Sequence, residues 1–252
     1  IISIKGKKDQ LNYMWRRDAS QWANSAPILF PIVGALKNDT CVINGKEYHM
    51  TQHGFARHNE FETNQVSDTE VIFSLKSNDE IIKQYPFLFE LNVTYRLVEN
   101  KLKCHIEVKN TDHQPIYFQV GGHPAFACPF MENESSNDYY LEFSENETCN
   151  RKIIDVEKRG MSRVEKPFFD NEKRFFVRQE LFNTDAIVIK NFKSENIALK
   201  SLNHDKSIVF HMNGFDHVGL WAAKHVGGLI AIEPWVGHAD YTDFNGEFKE
   251  KE

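Results

Sequence analysis

Three short stretches carry ionisable groups where apolar core would otherwise be expected. They are "MTQHGFARHNEF" (50–61), "QVGGHPAF" (119–126) and "GLIAIEPWVGHAD" (228–240). The first offers His53 and Arg57, the second His123, the third Glu233. Each group sits beside Gly or Pro and an aromatic ring, at the expected end of an apolar strand. Singly, each has an ordinary structural reading: a satisfied strand histidine, a solvent-facing glutamate, a surface arginine. Together they point to one concave pocket. A carboxyl inside such a pocket is costly unless paired or solvated. A His and a Glu facing each other across a ligand form an acid–base pair. Trp235 or Phe126 would give a sugar ring an apolar platform. The set suits proton transfer at two oxygens of one small polyol. The paired glycines Gly121 and Gly122 are expected to let a ligand approach the backbone.

Other chemistries fit less well. Two histidines and a glutamate can hold a metal, but no H-x-H cluster occurs, so no metal is expected. No G-x-S-x-G elbow marks a serine hydrolase. The four cysteines, Cys41, Cys104, Cys128 and Cys149, form no C-x-x-C pair, and read as reduced thiols of a cytoplasmic protein. A net charge of −6 argues against nucleic acid or an anionic membrane as partner. No apolar run reaches the roughly 18 residues of a membrane span.

The elements that must position these groups read as strands. "FELNVTYRLVENKLKCHIEVKN" (89–110) alternates Leu91, Val93, Tyr95 and Leu97 with polar residues, turns at "EN", and alternates again through Leu102, Cys104, Ile106 and Val108. That pattern is a hairpin with one buried face. "CVINGKEYHM" (41–50) is a second hairpin turning at Asn44-Gly45. "VIFSLK", "IYFQVGG", "YYLEFSE", "DAIVIKNF", "NIALKSL", "SIVFHM", "HVGLWAA" and "GLIAIEPW" add further strands. Short helical turns are expected in "NDEIIKQYPF" and in "DNEKRFF" (170–176), and an exposed loop in "MENESSND" (131–138). Strand–helix alternation is missing, which argues against a parallel α/β fold. The fold class is all-β, one large antiparallel β-sandwich over residues 1–252. Ile1, Ile2 and Ile4 read like a strand already under way, which leaves open an initial strand outside the chain.

"HGFAR", then "GGHPAF", then "IEPW" resembles the aldose 1-epimerase (galactose mutarotase) superfamily, and most nearly its lactose-operon mutarotase-like branch. "YMWRRDASQWANSAPILFPIVGALKND" is also like that branch, and the likeness runs through roughly residues 11–240. It implies a galactose mutarotase-like supersandwich and interconversion of the α and β anomers of a free aldose, a hexose or hexose phosphate. Glu233 then matches the general base at the anomeric hydroxyl. His123 matches the general acid at the ring oxygen, and His53 matches a histidine bonding the sugar near that oxygen. No cofactor is implied, because no electrons move. The family places an arginine just before its first histidine. Here Lys37 stands at about that point and Arg57 follows His53, and either could grip a hydroxyl or a phosphate. Asp185 matches the family's aspartate between the second histidine and the glutamate. The resemblance implies a monomer or homodimer. The alternative reading is a non-catalytic carbohydrate-binding or sensing protein on the same fold.

Overall fold

The computed structural model describes residues 1–223 and 228–251. Its strands are β1 (Ile28–Leu29), the hairpin β2 (Thr40–Ile43) and β3 (Lys46–His49), then β4 (Glu62–Ser67), β5 (Glu70–Lys76), β6 (Phe89–Val98) and β7 (Lys101–Asn110). Next come β8 (Val120–Gly122), β9 (Ala125–Cys128), the long pair β10 (Tyr139–Asp155) and β11 (Gly160–Phe176), and β12 (Ile187–Lys190). The chain continues through β13 (Asn196–Ser201), β14 (Ser207–His211), β15 (His217–Trp221) and β16 (Gly228–Val236). One sheet has ten strands, with a main order β1-β8-β16-β15-β12-β10-β13-β14; a second is β4-β5-β6-β7; the β2–β3 hairpin stands apart. Every described strand pairing is antiparallel. The fold is therefore the all-β, antiparallel one the alternation implied. Among the described residues, no helix is long and apolar enough to cross a membrane.

Local chemistry explains most elements. Asn44 and Gly45 have φ of 51° and 75°, the pair of left-handed residues a type I′ hairpin needs. The 89–110 hairpin forms in the expected register, with Leu91 opposite Val108 and Val93 opposite Ile106. Its buried face is shorter than the alternation suggested, because Leu91 and Val93 are buried but Leu97 is 54% exposed. A single helical turn, Asp79–Ile82, starts where Asn78 accepts the Glu80 and Ile81 N–H groups, an N-cap.

Two expectations are overturned. "DNEKRFF" is no helix: residues 170–176 finish β11, where Phe175 pairs with Leu141 and Arg174 with Glu142 of β10. Cross-strand pairing over a long hairpin outweighs a weak local preference. The strand expected at Ile1, Ile2 and Ile4 is reduced to an isolated bridge between Lys5 and Asn12.

Two apolar clusters hold the sheets. One lies on a single face of the large sheet, where Ile230, Ile232, Val218, Leu220, Ile187 and Ile189 meet Phe143, Phe169 and Phe182. The other joins the four-stranded sheet, through Leu75, Phe89, Leu91 and Val93, to Phe30, Ile32, Phe55 and Tyr85.

Candidate active site

The site grows from the two-residue period of β16. Ile230 and Ile232 point into the main core. The intervening Leu229 and Ala231 join Trp15, Ala125 and Ala223 on the opposite face. Glu233 and Trp235 continue that second parity, so one strand builds core with its even residues and the site with its odd ones. Glu233 is not at the strand end, as its neighbours had suggested. It is paired with Gly219 of β15 in mid-strand.

On its other side β16 pairs with β9 at 228–231 and with β8 at 235–236. His123 and Pro124 occupy the break between them, bridged by the Ile232 N–H donating to the Pro124 carbonyl at 3.2 Å. The break lets His123 leave the sheet and face Glu233. Its Nε2 lies 3.3 Å from Glu233 Oε2, both side chains being deeply buried.

His53 arrives from the 50–58 segment. Its φ is 65°, a left-handed conformation uncommon outside glycine. The fold holds it there by three bonds. Its N–H donates to the Gly34 carbonyl at 2.8 Å and its carbonyl accepts from Phe30. Its Nδ1 accepts the Gly34 N–H at 3.1 Å. That last bond places the ring proton on Nε2. The next residue has to be glycine: Gly54 has φ 70°, and a Cβ there would stand 2.3 Å from the Phe30 carbonyl oxygen. The His53 and His123 rings meet edge-on with centroids 5.8 Å apart.

Burial dominates the electrostatics. It pushes the Glu233 carboxyl well above its usual range. The charge of Asp185 adds to this, and the Trp235 indole N–H works against it. Burial, with a smaller contribution from the Arg57 cation, pushes the His123 imidazole down to about 3. His53 is driven down by burial, then by His123 and Arg57. Three buried atoms around this spot, His123 Nδ1, Glu233 Oε2 and Ser25 Oγ, have no hydrogen-bond partner on another residue.

The other expected residues divide. Arg57 is half-buried, and its charge reaches both imidazoles. Asp185 has φ 84° and acts on Glu233. Lys37 is committed elsewhere: its ammonium donates to the Phe244 carbonyl and to Asn245 Oδ1. No described bond or ion pair joins it to His53, His123 or Glu233. Phe126 does not wall the site. It packs in the main core against Phe210, together with Ala127, and only its neighbour Ala125 lies on the site side. Trp235 is 5% exposed and backs Glu233 instead of offering an open platform. It also fills the room the glycines had seemed to leave for a ligand, since a Cβ at Gly121 would stand 2.7 Å from its Cδ1.

The half-buried aromatic walls are two residues outside the three ionisable motifs. Trp22 lies over His123 as a tilted ring pair, with centroids 4.7 Å apart and planes 31° apart. Trp221 meets His123 edge-on at 5.5 Å and Trp22 at 5.5 Å. Trp221 shares the parity of Gly219, a signal present in "HVGLW"; Trp22 lies on a loop with no period to read. Among the described residues, no group of three or more His, Cys, Asp or Glu side chains is arranged to hold a metal ion.

The profile of the aldose 1-epimerase family matches residues 1–252. The plasmid and chromosomal LacX proteins of Lactococcus lactis subsp. lactis are each 36% identical to this chain, covering 94% of it and 81% of their own length. A galactose mutarotase related enzyme from Lactobacillus acidophilus superposes with a TM-score of 0.94 at 31% identity, over 100% of this chain and 84% of that one. A galactose mutarotase-like protein from Lactobacillus casei ATCC 334 gives 0.90 at 29% identity, over 99% and 86%.

Proposed function

The chain belongs to the aldose 1-epimerase family, and we propose that it is itself a mutarotase, interconverting the α and β anomers of a hexose or hexose phosphate. One observation carries the reading: Glu233 Oε2 and His123 Nε2 lie side by side at 3.3 Å. The anomeric hydroxyl oxygen and the ring oxygen hang from the same carbon. An acid and a base that act on both must therefore be neighbours.

In the opening half, the Glu233 carboxylate takes the proton from the anomeric hydroxyl. The His123 imidazolium gives a proton to the ring oxygen. The bond from C1 to the ring oxygen breaks and C1 becomes an aldehyde. After rotation about C1–C2 the freed hydroxyl adds to the other face of the carbonyl. Its proton returns to His123, and Glu233 returns its proton to O1. One proton serves the pair throughout. Burial favours that proton on Glu233 with His123 neutral, the state that closes the ring of an open-chain aldose. Its transfer from Oε2 to Nε2 gives the state that opens a closed one. His53, with its proton on Nε2, is a fixed donor to a sugar oxygen. Arg57 is the cation left to grip a hydroxyl or a phosphate, since Lys37 is engaged elsewhere.

The test follows freshly dissolved α-D-glucose, α-D-galactose and their 6-phosphates by polarimetry or NMR. At least one should reach anomeric equilibrium faster than the buffer blank. Sugar binding by calorimetry without any acceleration would favour the non-catalytic alternative.

A further inference from the structure

Trp22 belongs to a loop, residues 16–24, whose two ends are bonded to the segment that carries His123. The Ala127 N–H donates to the Tyr13 carbonyl at 2.9 Å and the Trp15 N–H to the Ala125 carbonyl at 3.0 Å. On the return, the Ala125 N–H donates to Ser25 at 2.8 Å and the His123 N–H to Pro27 at 3.0 Å. Between these anchors the loop is mostly exposed but braced from within. Asp18 Oδ1 accepts the Ser20 N–H at 2.9 Å and its hydroxyl at 2.7 Å. Arg17 Nε donates to the Ala23 carbonyl at 3.0 Å. Trp15 Nε1 donates to the Trp22 carbonyl at 2.8 Å. The bracing brings the Trp22 indole back over the imidazole.

The imidazole needs such a plate. Its Nε2 meets Glu233 at 3.3 Å, but its Nδ1 has no partner on another residue, so no hydrogen bond from a neighbouring element fixes the ring's rotation on that side. Metal-free imidazoles are usually oriented by a second partner on the other nitrogen. Here the tilted Trp22 indole lying over the ring takes that role. The groups facing the ring are Glu233, His53, the Arg57 charge, Trp22 and Trp221. Of these only Trp22 comes from the 16–24 loop.

We propose that Trp22 is a positioning residue: the 16–24 loop presses its indole onto His123, keeping the imidazole oriented on Glu233 and shielded from water. The proposal rests on the reading of His123 as the group that exchanges a proton with the sugar. Its test does not depend on turnover. The His123 imidazole is titrated by NMR without sugar, in the wild type, Trp22→Ala and Trp22→Phe, with the melting temperature of each recorded. The Trp22→Ala variant should bring the midpoint up from its depressed value towards about 6.5, the ordinary histidine value. Trp22→Phe should keep most of the depression. In the anomerisation assay Trp22→Ala should lose about 10–100-fold in kcat, the scale of a misplaced catalytic group, with KM changed less than about threefold. An unmoved midpoint in Trp22→Ala overturns the proposal. So does a loss carried by KM and equal in the Phe variant, which would make Trp22 a sugar platform. Should Trp22→Ala not fold, Asp18→Ala loosens the loop from outside the site and should shift the midpoint in the same direction. An unmoved midpoint there also overturns the proposal. A depressed midpoint in a protein that accelerates no aldose would sink the mutarotase reading and leave the positioning claim standing.

Discussion

Trp235 fills the space a side chain would need at Gly219. Its Cη2 and Cζ2 stand 2.6 Å from where that Cβ would lie. Gly219 is the direct partner of Glu233 across β15 and β16, so this contact sets the surface on which the carboxyl rests. Gly219→Ala must push the indole aside. Overpacking of this kind costs about 1–3 kcal/mol, readable in a urea melt. The same variant should lose the proposed anomerisation activity, because Trp235 lies beside Glu233. A variant with wild-type stability and activity would refute the tight fit.

Glu233→Gln separates catalysis from stability. General acid–base groups contribute about 10²–10⁴-fold, and kcat/KM for anomerisation should fall by that order. Stability should move the other way. The folded carboxyl titrates above its ordinary value of 4.5, so the stability it contributes is complete below pH 4.5 and is lost as pH rises through the folded value. At neutral pH the Gln variant lacks that penalty and should melt higher, by roughly 2–4 °C for each kcal/mol regained. Near pH 4 the advantage should disappear.

His123→Asn should show the opposite slope. The folded imidazole titrates near 3 and the unfolded one near 6.5. Above pH 6.5 both states are neutral and the histidine carries no penalty. As pH falls from 6.5 towards 3, the unfolded chain takes up the proton first and the wild type is destabilised. The stability gap between the variant and the wild type should therefore narrow or reverse on acidification. A gap independent of pH over that range would contradict the depressed imidazole.

Lys251 forms a buried ion pair with Asp240 at 2.5 Å, the two side chains being 5% and 3% exposed. It also donates to the His238 carbonyl. Lys251→Met strands a buried carboxylate, a change that typically costs about 3–5 kcal/mol. Denaturant unfolding should register it. Asp240 also accepts the Lys37 N–H, so Asp240→Asn should be destabilising too.

The alternation of Leu91 and Val93, the Asn44-Gly45 turn and the apolar run before Glu233 were enough to read an antiparallel all-β fold. His53, His123 and Glu233 stood out because each interrupted an apolar pattern beside Gly or Pro, and the fold brings the three together. Phe126 and Trp235 were harder. Their assignment depended on which face of a strand each occupies, and the break between β8 and β9 and the register of β16 on β15 decide that. Residues 170–176 became strand only through pairing with β10, some thirty residues away. Trp22 could not be assigned from local pattern, because the bonds that bring it to His123 join segments about a hundred residues apart.

The division of β16 by parity makes chemistry and folding share one failure mode. A slip of one residue in its pairing would bring Glu233 into the phenylalanine-rich core and turn Ile232 outward. Any chain that reaches the folded state has already sorted its carboxyl to the correct side, so for this strand the core acts as the proofreader of the site.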